Sequence, residues 1–152
     1  MFQGHAICNL DNKSRVILPA KFRKNISPEA DNKLVITRGL DSCIYVYPQD
    51  EWNKLLGAIK NFNTFNTTER DFQRRFLMYV TECELDSQGR ILLSPQLIEY
   101  ANIKKEVIIL GLLDKMEIWD PATKKKYDEG QTLTFEEVAS KVAEKVVNTN
   151  GA

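Results

Sequence analysis

The chain has 152 residues, 43% of them hydrophobic, with 21 basic and 21 acidic side chains and a formal net charge of +0. That length buries one good core or two small ones sharing an interface, and the neutral balance argues against a protein that coats nucleic acid regardless of sequence. No run of about eighteen apolar residues and no cationic-then-apolar start is present, so neither a membrane span nor a secretion signal is expected.

The first strand leads into Leu10-Asp11-Asn12-Lys13-Ser14-Arg15-Val16-Ile17-Leu18, where Asn and Ser supply turn chemistry and a strand-turn-strand hairpin is expected. Pro19 to Arg23 reads as a short helix. The apolar run Val35 to Leu40 and then Ile44 to Tyr47 read as strands, with Pro48 close behind. A helix follows in which Trp52, Leu55, Leu56 and Ile59 share one face. Asn61 to Thr67 breaks the pattern, and a second helix is expected from near Thr68, with Asp71 completing a capping-box variant. It sets Phe72 and Phe76 on one side, with Arg70, Arg74 and Arg75 around them.

At Leu85-Asp86-Ser87-Gln88-Gly89-Arg90-Ile91-Leu92-Leu93 the opening text returns, 75 residues on. Gly89 fits a position needing positive φ, where Ser14 would cost on the order of 1 kcal/mol. Ser94 and Pro95 supply the N-cap and first residue of a helix over Gln96 to Ala101. Val107 to Leu112 and Met116 to Trp119 repeat the later strands, again with a proline behind, at Pro121. A last helix over Phe135 to Val147, capped by Thr134 with Glu137, carries Phe135, Val138, Ala139, Val142, Ala143, Val146 and Val147 at spacings of three and four. That stripe must be covered by the chain's own core or by a neighbouring subunit. It and the Trp52 to Ile59 face together exceed what two small barrels would cover, and the tail from Asn148 is expected to fray.

The likeness spans most of each half, which makes an internal duplication the reading to carry forward. Charge divides between the copies. Residues 11–38 hold seven cations and three carboxylates (+4), and residues 82–120 hold four cations and eight carboxylates (−4). On this count only the first copy suits a polyanion.

The duplicated Asp-x-x-x-Arg has two readings. Asp11 with Arg15, and Asp86 with Arg90, can pair simply to fix a turn. Alternatively Lys13, Arg15, Lys21 and Arg23 cluster around one hairpin and meet nucleic acid, since a guanidinium holds guanine O6 and N7 bidentately and turn amides reach phosphates. Catalysis has no motif to carry it: His5 stands without a partner nucleophile, and no Walker-type loop, GxGxxG or His-Glu-x-x-His is present. Cys8, Cys43 and Cys83 are far apart without CxxC spacing, fit a reducing cytoplasm, and read as small buried hydrophobes. Arg74, Arg75 and Lys124 to Lys126 read as solvated helix faces, and Trp52 and Trp119 as core or interface residues.

At these residues the chain resembles the MraZ family of bacterial transcriptional regulators, built from two SpoVT-AbrB-type domains. The resemblance runs from Met1-Phe2 and Gly4 through Leu10-Asp11, Lys13, Arg15 and Pro19-Ala20-Lys21-Phe22-Arg23 to Thr37-Arg38-Gly39-Leu40-Asp41 and Val46-Tyr47-Pro48 with Trp52. It resumes at Asp86, Gly89-Arg90-Ile91-Leu92, Tyr100-Ala101, Glu106-Val107, Gly111 and Glu117-Ile118-Trp119-Asp120, and covers the chain to about residue 128. Ser14 departs from the usual glycine of the first motif, and Ser94 stands where the first unit has Pro19.

The resemblance implies an α+β chain of duplicated swapped-hairpin β-barrel units with peripheral helices, pseudo-twofold within one chain and assembled into a ring. The expected division is 1–50 first unit, 51–79 helical connection, 80–122 second unit and 123–152 C-terminal helical segment. The implied function is sequence-specific regulation of transcription on double-stranded DNA, at tandem promoter boxes of the division and cell-wall gene cluster. Lys13, Arg15, Lys21, Arg23 and Arg90 are the expected DNA contacts and Asp11 and Asp86 the motif carboxylates. No cofactor, metal, membrane or small-molecule substrate is expected, and the place of action is the cytoplasm, at the nucleoid. The competing class is an oligomeric scaffold that binds no DNA, which would have no need of four clustered cations.

Overall fold

The computed structural model describes residues 1–150. In chain order the elements are β1 (His5–Asn9), β2 (Arg15–Ile17), α1 (Ala20–Arg23), β3 (Lys33–Arg38), β4 (Ile44–Pro48), α2 (Gln49–Lys60) and α3 (Thr67–Leu77). They continue as β5 (Thr81–Glu84), β6 (Arg90–Leu92), α4 (Pro95–Tyr100), β7 (Glu106–Leu112), β8 (Lys115–Trp119), α5 (Pro121–Glu129) and α6 (Phe135–Asn150). The fold is α+β with antiparallel pairing throughout.

Six strands form an open sheet in the order β1-β7-β8-β4-β3-β5, and β2 and β6 form a separate ribbon. Swapping each element for its mate in the other copy reverses the six-strand order and leaves it unchanged. Each copy's first strand therefore lies on the other copy: β1 pairs with β7, and β5 with β3. Strands β1 and β5 end the sheet, so hydrogen-bonded strands do not close it into a barrel.

This pairing corrects the expected hairpins. The strands flanking each Asp-x-x-x-Arg turn separate, and only a single bridge, Leu10 to Val16, joins the two sides of the first. Burial explains the divergence, because Val16 and Ile91 are buried against each other in the ribbon while β1 and β5 complete the sheet edges.

Alternation along the strands sorts side chains into two cores. Leu34, Ile36, Ile44, Val46, Val107, Ile109, Met116 and Ile118 face a core closed by Val16, Leu18, Phe22, Ile91, Leu93 and Leu97 from the ribbon and from α1 and α4. Val35, Tyr45, Tyr47 and Trp119 face the opposite side, where Trp52 and Ile59 of α2 and Phe76 of α3 cover them. Strand β4 lies between both cores and is buried at all five positions.

The α2 face is thus covered within the chain, contrary to expectation, with Leu55 and Leu56 packed on the second core. Thr37 Oγ donates to the Phe76 carbonyl at 3.0 Å and ties α3 to the sheet. The cap of α3 also differs: Asn66, not Thr68, accepts from the Glu69 amide at 3.0 Å. Thr134 does cap α6, accepting from the Glu137 amide at 3.1 Å, but the helix continues through Asn148 to Asn150. Its apolar stripe is bare, with Phe135 89% and Val147 67% exposed.

Candidate nucleic-acid interface

Each Asp-x-x-x-Arg segment folds into a loop braced by its own aspartate. Asp11 Oδ1 accepts from the backbone amides of Lys13 and Arg15, both at 2.9 Å, and Oδ2 accepts from Arg15 Nε at 2.9 Å. The Ser14 amide donates to the Asp11 carbonyl at 3.1 Å. In the second loop Asp86 Oδ1 accepts from Gln88 at 2.9 Å and Arg90 at 2.8 Å, and Oδ2 accepts from Arg90 Nε at 2.6 Å. These amide bonds, that from Arg15 above all, hold the Asp11 carboxyl below its usual range, and those from Arg90 do the same for Asp86.

The turn-fixing reading therefore holds for both aspartates. It does not use up the arginines, because both pairs engage Nε and leave the terminal guanidinium nitrogens outside the pairing. Those nitrogens are the ones a guanine edge or a phosphate meets.

Left-handed backbone closes both loops, at Ser14 with φ 63° and Gly89 with φ 74°. A side chain at residue 89 would also collide with Arg23, whose Cδ lies 2.8 Å from the position a Cβ would take. The loops interlock through the ribbon: the Leu18 amide donates to the Gly89 carbonyl and the Leu93 amide to the Ser14 carbonyl, both at 2.9 Å.

Ribbon register pairs Arg15 with Leu92, Val16 with Ile91 and Ile17 with Arg90. Val16 and Ile91 point inward, so Arg15, Ile17, Arg90 and Leu92 share the outward face. Two arginines from distant parts of the sequence thereby meet on one surface.

The expected cluster of four cations around the first loop is corrected in part. Lys13 is exposed on that loop and Arg15 follows it. Arg23 crosses to the second loop, over Gly89, so basic charge counted with the first copy lies beside Arg90 of the second. Lys21 turns toward β1, where its ammonium donates to the His5 carbonyl and lies 5.1 Å from the Phe22 ring centroid. The sequence reading passed over Ile17 and Leu92, although the signal was there: in Arg-Val-Ile and Arg-Ile-Leu, strand alternation buries only the middle residue.

Among the described residues no group of three or more His, Cys, Asp and Glu is placed to hold a metal, and no helix is long and apolar enough to cross a membrane. Cys43 is fully buried, and that burial pushes its thiol far above the usual range.

The family model described as "MraZ protein, putative antitoxin-like" matches the chain twice, over residues 1–75 and 76–145. A protein of Natranaerobius thermophilus named transcriptional regulator MraZ is 42% identical over 144 residues, covering 95% of this chain and 98% of its own. Proteins of the same name from Halothermothrix orenii and Shewanella sediminis are 41% and 39% identical, covering 92% and 91% of this chain and 95% and 93% of their own. The shared name is that of a regulator, not of an enzyme.

Proposed function

The chain belongs to the MraZ family, and we propose that it regulates transcription by binding double-stranded DNA sequence-specifically through the outward face of the β2–β6 ribbon and its two loops. The observation that carries this is the placement of Arg15 and Arg90, each steadied by an aspartate through Nε and each half-buried, on the outward face of one ribbon. A two-stranded ribbon fits the major groove, where arginine is the usual reader of guanine. Lys13 and Arg23 add phosphate contacts at the two loops. Lys21 joins them only if it leaves the His5 carbonyl.

One subunit offers few contacts, so affinity comes from multiplicity. The bare stripe of α6 supports assembly, which we take to be the ring of the resembled family. The exchanged first strands support the swapped-hairpin unit, the four-part division of the chain belongs to the same reading, and tandem boxes upstream of division and cell-wall genes are the targets. Action at the nucleoid follows.

A mobility-shift assay on the DNA upstream of the protein's own gene, against scrambled DNA of equal length, tests this reading. Preferential retardation of the upstream fragment is expected. Equal retardation of both would remove the sequence specificity, and retardation of neither would favour the scaffold.

A further inference from the structure

The outward face of the ribbon holds two aliphatic side chains that neither core uses. Ile17 is 53% exposed and Leu92 56%. Register sets Leu92 directly opposite Arg15, and Ile17 directly opposite Arg90. Opposite residues have Cβ atoms about 4.5–5.5 Å apart and diagonal ones about 7–8 Å, so the four form one small patch. Within it each guanidinium stem has one aliphatic group across the ribbon and another two residues along its own strand.

A lone exposed Ile or Leu needs no explanation. Here two occupy equivalent positions of two copies that have otherwise diverged in surface chemistry: Lys13 became Gln88, Lys21 became Gln96 and Arg23 became Ile98. Arg15 and Arg90 stayed arginine, and Ile17 and Leu92 stayed aliphatic. In the major groove the only apolar feature a base pair offers is the thymine C5 methyl, and aliphatic side chains contact it. The diagonal between the arginines spans about two base-pair steps of roughly 3.4 Å each.

Resting on the DNA-binding reading above, we propose that Ile17 and Leu92 read thymine methyl groups beside the guanines held by Arg15 and Arg90.

The test amplifies the protein's own upstream DNA once with thymidine and once with deoxyuridine triphosphate, which removes the methyl and keeps the pairing edge. Fluorescence anisotropy with the full chain should show the uracil DNA bound more weakly, by about fourfold for each methyl group that an aliphatic side chain would otherwise cover. Ile17→Ala and Leu92→Ala, checked for an unchanged thermal transition, should weaken binding to thymine DNA and narrow the thymine-to-uracil ratio. Equal wild-type affinity for both DNAs would overturn the inference and leave the DNA-binding reading intact. A ratio undiminished in both variants would overturn it too, by assigning the methyl effect to DNA shape or to other residues. A changed particle mass in either variant would give the patch to a subunit interface instead. No wild-type preference for upstream over scrambled thymine DNA would remove the underlying reading, and this inference with it.

Discussion

Val16 and Ile91 hold the same place in the two copies, 75 residues apart, and pair with each other across the ribbon. Equivalent residues facing one another mark a twofold relation. A second such pair lies in the sheet, where Tyr45 pairs with its own mate Glu117. The two loops that carry Arg15 and Arg90 are thus placed by one axis, and the chain presents its arginines as a matched pair.

Since Ile91 closes the main core at that axis, Ile91→Ala should destabilise the whole chain and not the second half alone. Loss of a buried Ile side chain costs about 2–5 kcal/mol. Chemical denaturation followed by both tryptophan fluorescence and far-UV dichroism should give one transition at lower midpoint. Two separated transitions would mean that the copies fold independently.

Left-handed backbone at Ser14 and Gly89 makes opposite substitutions behave oppositely. Ser14→Gly relieves strain and should raise stability by about 0.5–1 kcal/mol. Gly89→Ala adds strain of about 1–2 kcal/mol and displaces Arg23 as well. Thermal melts of both variants check this.

Acid should release the loops. The Asp11 carboxyl titrates below its ordinary 3.8, so its contribution is complete above that value and is lost as pH falls through the lower folded one. The amide resonances of Lys13 and Arg15, which share Asp11 Oδ1, should shift together with a midpoint below 3.8. In Asp11→Asn that joint titration should be absent.

The exposed stripe of α6 gives an assembly prediction. The wild type should exceed monomer mass by light scattering at micromolar concentration, and Val142→Glu or Val146→Glu, both at exposed positions, should lower it without lowering the melt. Affinity of the wild type should also rise steeply with the number of tandem boxes, and the variants should lose that rise. A monomeric wild type would remove the ring.

Much of this was legible in the sequence, because duplication copies both the motif and its surroundings. The left-handed turn, the caps at Ser94 and Thr134 and the apolar strands followed from local chemistry that the fold leaves in place. Strand exchange was not legible from residues 5–17, since a hairpin and a pair of exchanged strands need the same alternation and the same turn. Partner choice for β1 depends on β7, roughly a hundred residues away in the chain. The charge division misled for the same reason. Summing along the chain assigned Arg23 to the first loop, whereas α1 delivers it to the second.

The central claim is that Arg15 and Arg90 contact DNA from one ribbon. Anisotropy titrations of Arg15→Ala and Arg90→Ala on upstream and scrambled DNA, with thermal melts alongside, test it most directly. Each variant should lose about 1–3 kcal/mol of specific binding per engaged subunit while the melt stays in place, because the aspartates keep their backbone amides. The two losses should be comparable, not small at Arg90 as the charge count along the chain implies. Wild-type affinity in both variants, or a loss matched by a collapsed melt, would contradict the account.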